Sequence, residues 1–306
     1  DWIGRGHHAR MSYLEETMEV RARPEVLLEG ARSIVCLAYP HGRAAPVASD
    51  GARVARYAWG PDYHQTLRER AEGVAQSAIR ALGPLRYRVC VDSTPVAERS
   101  FAAAAGLGWI GKNGCLIDPE HGSFLLLAEI LTDLDLPPDE PIAERCGSCV
   151  RCIAACPTQA FLAPGLLDAR RCLSYWTIEH RGAIPDEIKE RVGDQLFGCD
   201  ICQEVCPWNA PIPTGQAVST SGSNAREDSV PTRGEWLAMG KGEWRRRYGA
   251  TALNRAGRRG MQRNAAASVG ALADLSASDR LPVDATDPGL ADAAGWARRR
   301  LTPPTR

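Results

Sequence analysis

Eight of the eleven cysteines fall between Cys146 and Cys206, and their spacing is that of thiolates holding two 4Fe–4S clusters. The first run is Cys146-Gly-Ser-Cys149-Val-Arg-Cys152-Ile-Ala-Ala-Cys156-Pro157. This is C-x2-C-x2-C-x3-C-P, the bacterial ferredoxin pattern, whose fourth cysteine ligates the other cluster. The partner run, Cys199-Asp-Ile-Cys202-Gln-Glu-Val-Cys206-Pro207, is one cysteine short, and Cys172 can supply the missing thiolate. The swap rule therefore predicts Cys146, Cys149, Cys152 and Cys206 on one cluster, and Cys156, Cys172, Cys199 and Cys202 on the other. Structural zinc would use the CxxC pairs but gives no reason for the two Cys-Pro endings. Disulfides would need an oxidising compartment, and no leader is legible at a start that begins on Asp1 without a Met. Cys36, Cys90 and Cys115 sit in apolar stretches and read as buried, inert thiols.

Other candidate chemistry is sparser. Asp92 follows an apolar strand and precedes Ser93-Thr-Pro95, which by itself is the position of an N-cap or Asx turn. His64, in Asp62-Tyr-His64-Gln, starts like a cobalamin-ligating D-x-H-x-x-G motif, but Leu67 stands where the glycine is required; His64 reads as a surface or core histidine. Gly106-Leu-Gly108-Trp-Ile-Gly111 matches G-x-G-x-x-G, yet it follows an Ala-rich helix instead of a strand, which is the wrong setting for a dinucleotide site. Gly106 reads as a C-cap, and the glycines let the backbone lie flat against a large cofactor.

The elements that would position these groups form three stretches. Residues 1–140 read as an α/β unit, with strand patterns at 33–39, 87–91 and 123–131 and helices at 12–19, 64–82 and 95–105. A Pro-rich linker leads into a ferredoxin-like insert at 141–212. Residues 213–306 read as a Ser/Thr/Gly/Asn-rich mobile loop, to about residue 232, followed by Ala- and Arg-rich helices resembling a short HEAT-like fragment. The fold class expected is α+β. With 44% hydrophobic and 24% charged residues and zero net charge, nothing implies whole-chain attraction to polyanions. No apolar stretch approaches the roughly 20 residues that span a bilayer, and thiols kept for metal point to the cytoplasm. Charge is nevertheless uneven: from Arg226 to Arg263 ten basic residues meet four acids, a local +6, with Trp236, Trp244 and Tyr248 interleaved. That mixture suits phosphate contact and base stacking, or equally a solvated helical face.

Taken together, these residues resemble epoxyqueuosine reductase, the cobalamin-dependent iron–sulfur family of tRNA queuosine biosynthesis. The resemblance is carried by Arg21-Ala-Arg-Pro24, Arg56-Tyr-Ala-Trp-Gly-Pro-Asp-Tyr-His64, Val91-Asp-Ser-Thr-Pro-Val-Ala-Glu-Arg99, Ala105-Gly-Leu-Gly-Trp-Ile-Gly-Lys112, the cysteine runs, and Asp168-Ala-Arg-Arg-Cys-Leu-Ser-Tyr175. It covers about residues 10–210 and thins beyond, where Arg263-Asn-Ala-Ala is the remaining match. It implies reduction of the epoxide of epoxyqueuosine at the tRNA wobble base by cobalamin fed from two clusters: two electrons and two protons in, one water out. It implies Asp92 as the proton donor to the departing oxygen, with a carboxyl pKa raised by burial. It implies cobalamin contacts at Asp92, the backbone of Leu116 and Leu127, with Arg56 and Tyr57 lining the pocket and no histidine below the cobalt. The implied partners are the anticodon stem-loop of tRNA and an external low-potential donor of flavodoxin or ferredoxin type. Two alternatives remain open: another cobalamin and iron–sulfur reductase such as a reductive dehalogenase, and a non-catalytic ferredoxin-type electron carrier.

Overall fold

In a computed structural model the described residues are 1–41, 46–209 and 229–302. The Ser/Thr/Gly/Asn-rich stretch, apart from its last four residues, lies outside them. The chain opens with two short helices, α1 (Ser12–Glu16) and α2 (Met18–Ala22). The single helix expected at 12–19 is broken at Thr17, whose hydroxyl turns back to the Tyr13 carbonyl, a competition with the helical ladder typical of Thr. Strands β1 (Ser33–Pro40) and β2 (Arg53–Val54) lead to α3 (Tyr63–Leu82). Asp62 caps α3 by accepting the His64 amide, and Gly83 at φ +92° ends it, the left-handed region that favours glycine. Next come β3 (Tyr87–Cys90), α4 (Glu98–Ala104), the hairpin β4 (Trp109–Ile110) and β5 (Leu116–Ile117), and β6 (Leu125–Thr132).

The main sheet is antiparallel, in the order β1-β6-β3. The period of two along β6 sorts its side chains between two faces. Ala128 and Ile130 pack with Leu67, Ala71 and Ala75 of α3 and with Val89 and Val91. Leu131 on the opposite face joins Cys90, Val96 and Phe101 of α4. Alternation puts Leu127 and Glu129 on that α4 face too, which brings β6 under the candidate site.

The cysteine-rich stretch contains α5 (Arg151–Ala154), β7 (Phe161–Ala163), β8 (Leu166–Leu167), α6 (Asp186–Lys189), β9 (Gln195–Phe197) and α7 (Ile201–Glu204). After it come α8 (Arg233–Ala238), α9 (Lys241–Arg247), α10 (Gly257–Leu272) and α11 (Pro288–Leu301). Strand β2 pairs in parallel with β9. The largest core joins Ala52 and Val54 to Phe197, Trp236, Tyr248, Ala265 and Trp296. A segment from the first 140 residues is therefore packed inside the C-terminal helices, although composition alone puts it in the first unit.

The same core changes the reading of the basic, aromatic segment. Trp236, Trp244 and Tyr248 are all buried and pack on one another with their rings tilted, so they are not offered to bases. Arg263 is buried too. It donates to the carbonyls of Trp176 (2.7 Å), His180 (2.9 Å) and Gly182 (3.1 Å). Asn264 beside it donates to Thr177 and Leu196. These two residues pin α10 to the cysteine-rich stretch. Arg255 pairs with both carboxylate oxygens of Glu179 at 2.9 and 2.7 Å. Lys241, Arg245, Arg246 and Arg259 remain exposed. No helix of the described residues is long and apolar enough to cross a membrane.

Candidate active site and cluster cavities

Asp92 sits where β3 ends, in a turn that gives it φ +42°, the left-handed region that Gly, Asn and Asp adopt more readily than other residues. Three neighbours hold it there. Its backbone N–H donates to Glu98 Oε1 of α4 at 2.6 Å. Its carboxylate accepts the Tyr63 hydroxyl and, at 2.8 Å, His64 Nε2. The other ring nitrogen of His64 reaches Asp62 Oδ1 at 2.6 Å. Both imidazole nitrogens are thus engaged by carboxylates, which favours the doubly protonated ring.

The protonation pattern corrects one expectation. Burial pushes the Asp92 carboxyl up, but the bonds from His64 and Tyr63 and the charge on His64 outweigh it, and its pKa lies below the ordinary value. The proton is held nearby instead. The bond to Asp92, helped by Asp62, raises His64 from 6.5 to about 8. Burial, and then the charge of Asp92, raise Glu98 from 4.5 to about 7. His64, expected to be an ordinary surface or core histidine, is a direct partner of the candidate acid. Its signal in the sequence was the Asp62-Tyr63-His64 triplet at a helix start, which the missing glycine of the cobalamin motif led away from.

A cavity of about 250 Å³ opens beside Asp92. Tyr57, Leu116 and Leu127 line it with Asp92, as do Tyr63, Glu98, His41, Leu125 and Leu126. Arg56 is not among its lining residues. Its guanidinium lies over the Phe124 ring at 4.2 Å and 3.4 Å from Glu204. His41, which nothing in the sequence singled out, stands edge-on to the same Phe124 ring.

The cysteines gather around two further cavities. Cys156, Cys172, Cys199 and Cys202 line one of about 620 Å³. Cys146, Cys149, Cys152 and Cys206 line a smaller one. Cys115, Arg99 and Gln203 line both the larger cysteine cavity and the Asp92 pocket. Asn113 lines both cysteine cavities. The three spaces therefore adjoin in a row. Burial pushes the Cys115 thiol up to about 11, so it stays a neutral thiol between two of them.

The glycine motif has a different use from the one expected. Gly106 follows α4 at φ +72°, as a C-cap residue does. A Cβ on Gly108 would lie 2.2 Å from the Ile117 carbonyl oxygen, and one on Gly111 2.4 Å from Ile117 Cδ1. These glycines let strands β4 and β5 close on each other; their tight approach is to the chain itself.

Comparison with known proteins bears on what this row of cavities belongs to. Residues 145–209 match a family described as 4Fe-4S double cluster binding domain, and residues 21–93 match one described as Epoxyqueuosine reductase QueG, DUF1730. An epoxyqueuosine reductase of Xanthomonas campestris is 42% identical over 277 residues, 88% of this chain and 77% of the relative. This chain belongs to the epoxyqueuosine reductase family. Another member, from Cyclobacterium marinum, is 38% identical over 86% of this chain and 84% of its own. The chain spans 60% of the Vibrio cholerae relative, to which it is 42% identical. Among solved structures, an epoxyqueuosine reductase with an epoxyqueuosine-modified tRNA-Tyr stem loop superposes with a TM-score of 0.82 at 34% identity, covering 93% of this chain and 77% of that one. The Bacillus subtilis enzyme, described with its catalytic aspartate loop swung out of the active site, has a TM-score of 0.82 at 33% identity, covering 94% and 78%. Neither the dehalogenase nor the electron-carrier alternative draws support from these relatives.

Proposed function

We propose that this chain reduces the epoxide of epoxyqueuosine in tRNA to the alkene of queuosine, drawing electrons through two 4Fe–4S clusters and using cobalamin beside Asp92. The observation that carries this reading is the row of adjoining spaces: a cavity lined by four cysteines, a second lined by four more with Cys115 on its side toward Asp92, then an aliphatic pocket that includes the Asp92 carboxylate. Four thiols around each cavity are the donor set of a 4Fe–4S cluster. The leucine wall of Leu116, Leu125, Leu126 and Leu127 fits the apolar body of a corrin, with Tyr57 beside it; Arg56 supports this wall through Phe124. When bound, cobalamin supplies the low-potential reducing chemistry at carbon that side chains lack.

The side chains supply the proton. The epoxide oxygen takes up two protons before it departs as water, so the pocket must hold an acid near neutrality that can be reloaded. His64 and Asp92 share a proton as one unit. Asp92 presents it to the oxygen, and His64, charged up to about pH 8, replaces it. The tRNA stem loop held by a related enzyme is the expected partner, with the exposed Arg245 and Arg246 on its phosphates. A flavodoxin- or ferredoxin-type protein is the expected donor and the cytoplasm the expected location. We carry forward the division at 1–140, 141–212 and 213–306, with α10 and α11 as a HEAT-like fragment.

The test is conversion of epoxyqueuosine-tRNA by anaerobic, cofactor-loaded protein, read by mass spectrometry of the nucleosides. Asp92→Asn should keep its cofactors and lose about 10²–10⁴-fold in turnover. His64→Gln should lose about 10-fold or more and move the alkaline limb of the pH profile, because the group that reloads Asp92 is gone. Retention of cofactors with turnover within a few-fold of wild type in Asp92→Asn would remove Asp92 from the mechanism.

A further inference from the structure

Asn113, in the turn between β4 and β5, is the one described residue that lines both cysteine cavities. Its side chain is 7% exposed. Its Oδ1 accepts the Cys115 backbone N–H at 3.1 Å. That bond decides which end of the carboxamide is oxygen, since a backbone amide can only donate. The Nδ2 end is left buried and has no partner in the protein. A buried amide with two donors and no acceptor is costly, so this position is built for an acceptor that the polypeptide does not provide. Both spaces it borders are ringed by thiols. Thiolate and sulfide sulfurs carrying negative charge accept such bonds, and donors to them favour the reduced cluster because it bears more charge.

We propose that Asn113 is a potential-setting residue: its carboxamide donates hydrogen bonds to cluster sulfur at the junction of the two cavities and raises the reduction potential of at least one cluster. This rests on reading the cavities as 4Fe–4S sites. The donor is placed at the junction of the two cavities, so the residue acts on transfer through the clusters and not on substrate.

A redox titration of the anaerobic, cluster-loaded protein, followed by electron paramagnetic resonance without cobalamin or tRNA, tests it. Asn113→Asp keeps the oxygen that accepts from Cys115 and replaces the donor by a second oxygen. The expected result is a fall in one midpoint equivalent to about a tenfold change in the reduction equilibrium, 59 mV for a one-electron couple. Asn113→Ser retains a turn acceptor but is too short to reach a cavity, and should give a smaller fall in the same midpoint. Full iron content with both midpoints unchanged in the two variants would overturn the proposal. So would loss of a cluster in both, since Asn113 would then be shaping the cavity and not its potential. Wild-type protein that binds well under about eight irons would instead sink the cluster reading, and the proposal with it.

Discussion

Around α10 and around β6, ionisable side chains have been taken out of water with opposite provision for them. Arg263 on α10 is 2% exposed and meets three backbone carbonyls and the Asn264 side chain. Burial lowers its pKa only to about 10, so it stays charged and acts as a rivet between α10 and residues 176–182. Glu129 on β6 is 0% exposed, and neither carboxylate oxygen has a partner. Its neighbours in register are Cys36 on one side and Cys90 on the other. Burial, and then the charge of Glu98, push it from 4.5 to about 9, so it is neutral at physiological pH. The lesson is about hydrogen-bond supply. Where every donor is met, a buried charge is structural; where the sheet leaves Glu129 without partners, the carboxyl holds its proton instead.

The comparison breaks most visibly at Arg263. Arg263→Ala withdraws the guanidinium from the carbonyls of Trp176, His180 and Gly182, and a buried carbonyl left without a donor costs about 1–3 kcal/mol. A loss of about 3 kcal/mol or more is expected, read as a large drop in Tm and release of α10 in hydrogen exchange. A near-normal Tm would show that these carbonyls find water, and the contrast would dissolve.

Glu129 sharpens the other side. Its folded pKa of about 9 stands above the ordinary 4.5, so folding takes up a proton between those two values. Stability is therefore full below the lower pKa and falls as pH rises through the window, by up to about 1.4 kcal/mol per pH unit. Glu129→Gln is neutral throughout and should flatten that slope. Denaturant midpoints at about pH 6 and about pH 8.5 check it; equal slopes in both proteins would mean that Glu129 is ionised in the fold.

The smallest effect is expected where charges face solvent. Replacing Arg245 and Arg246 together by Gln should leave stability unchanged and reduce the salt dependence of tRNA binding by up to about two units of log–log slope. An unchanged slope would make this face solvent surface only.

How much of this was legible depends on distance along the chain. Eight cysteines could be sorted into the two sets that the structure gathers around two cavities, because most of their spacings are two or three residues and local geometry carries them. The three main strands were legible from β-branched and apolar runs, to within a few residues at their ends. Asp92 was legible as chemistry only through resemblance, since a carboxylate after a strand is as often a cap. Tyr63 and His64 were not legible as its partners. They lie 29 and 28 residues away, and the contact exists only because the start of α3 packs against the end of β3.

The basic, aromatic run at 233–263 shows the converse. Its composition suited nucleic-acid contact or equally a solvated helical face, but Trp236 and Tyr248 form the core and Arg233 and Arg263 are consumed by internal bonds. Composition counts charges without saying which face of a helix is covered. The sequence by itself determined the family and the grouping of eight cysteines into two sets, because these reside in local spacing and in short motifs. Only the tertiary structure decided that the cavities stand in a row, that the proton rests on His64 and not on Asp92, and that Asn113 faces both cysteine sites. Each of these depends on groups distant in the chain meeting in space, where hydrogen-bond supply and burial, not residue type, set the charge.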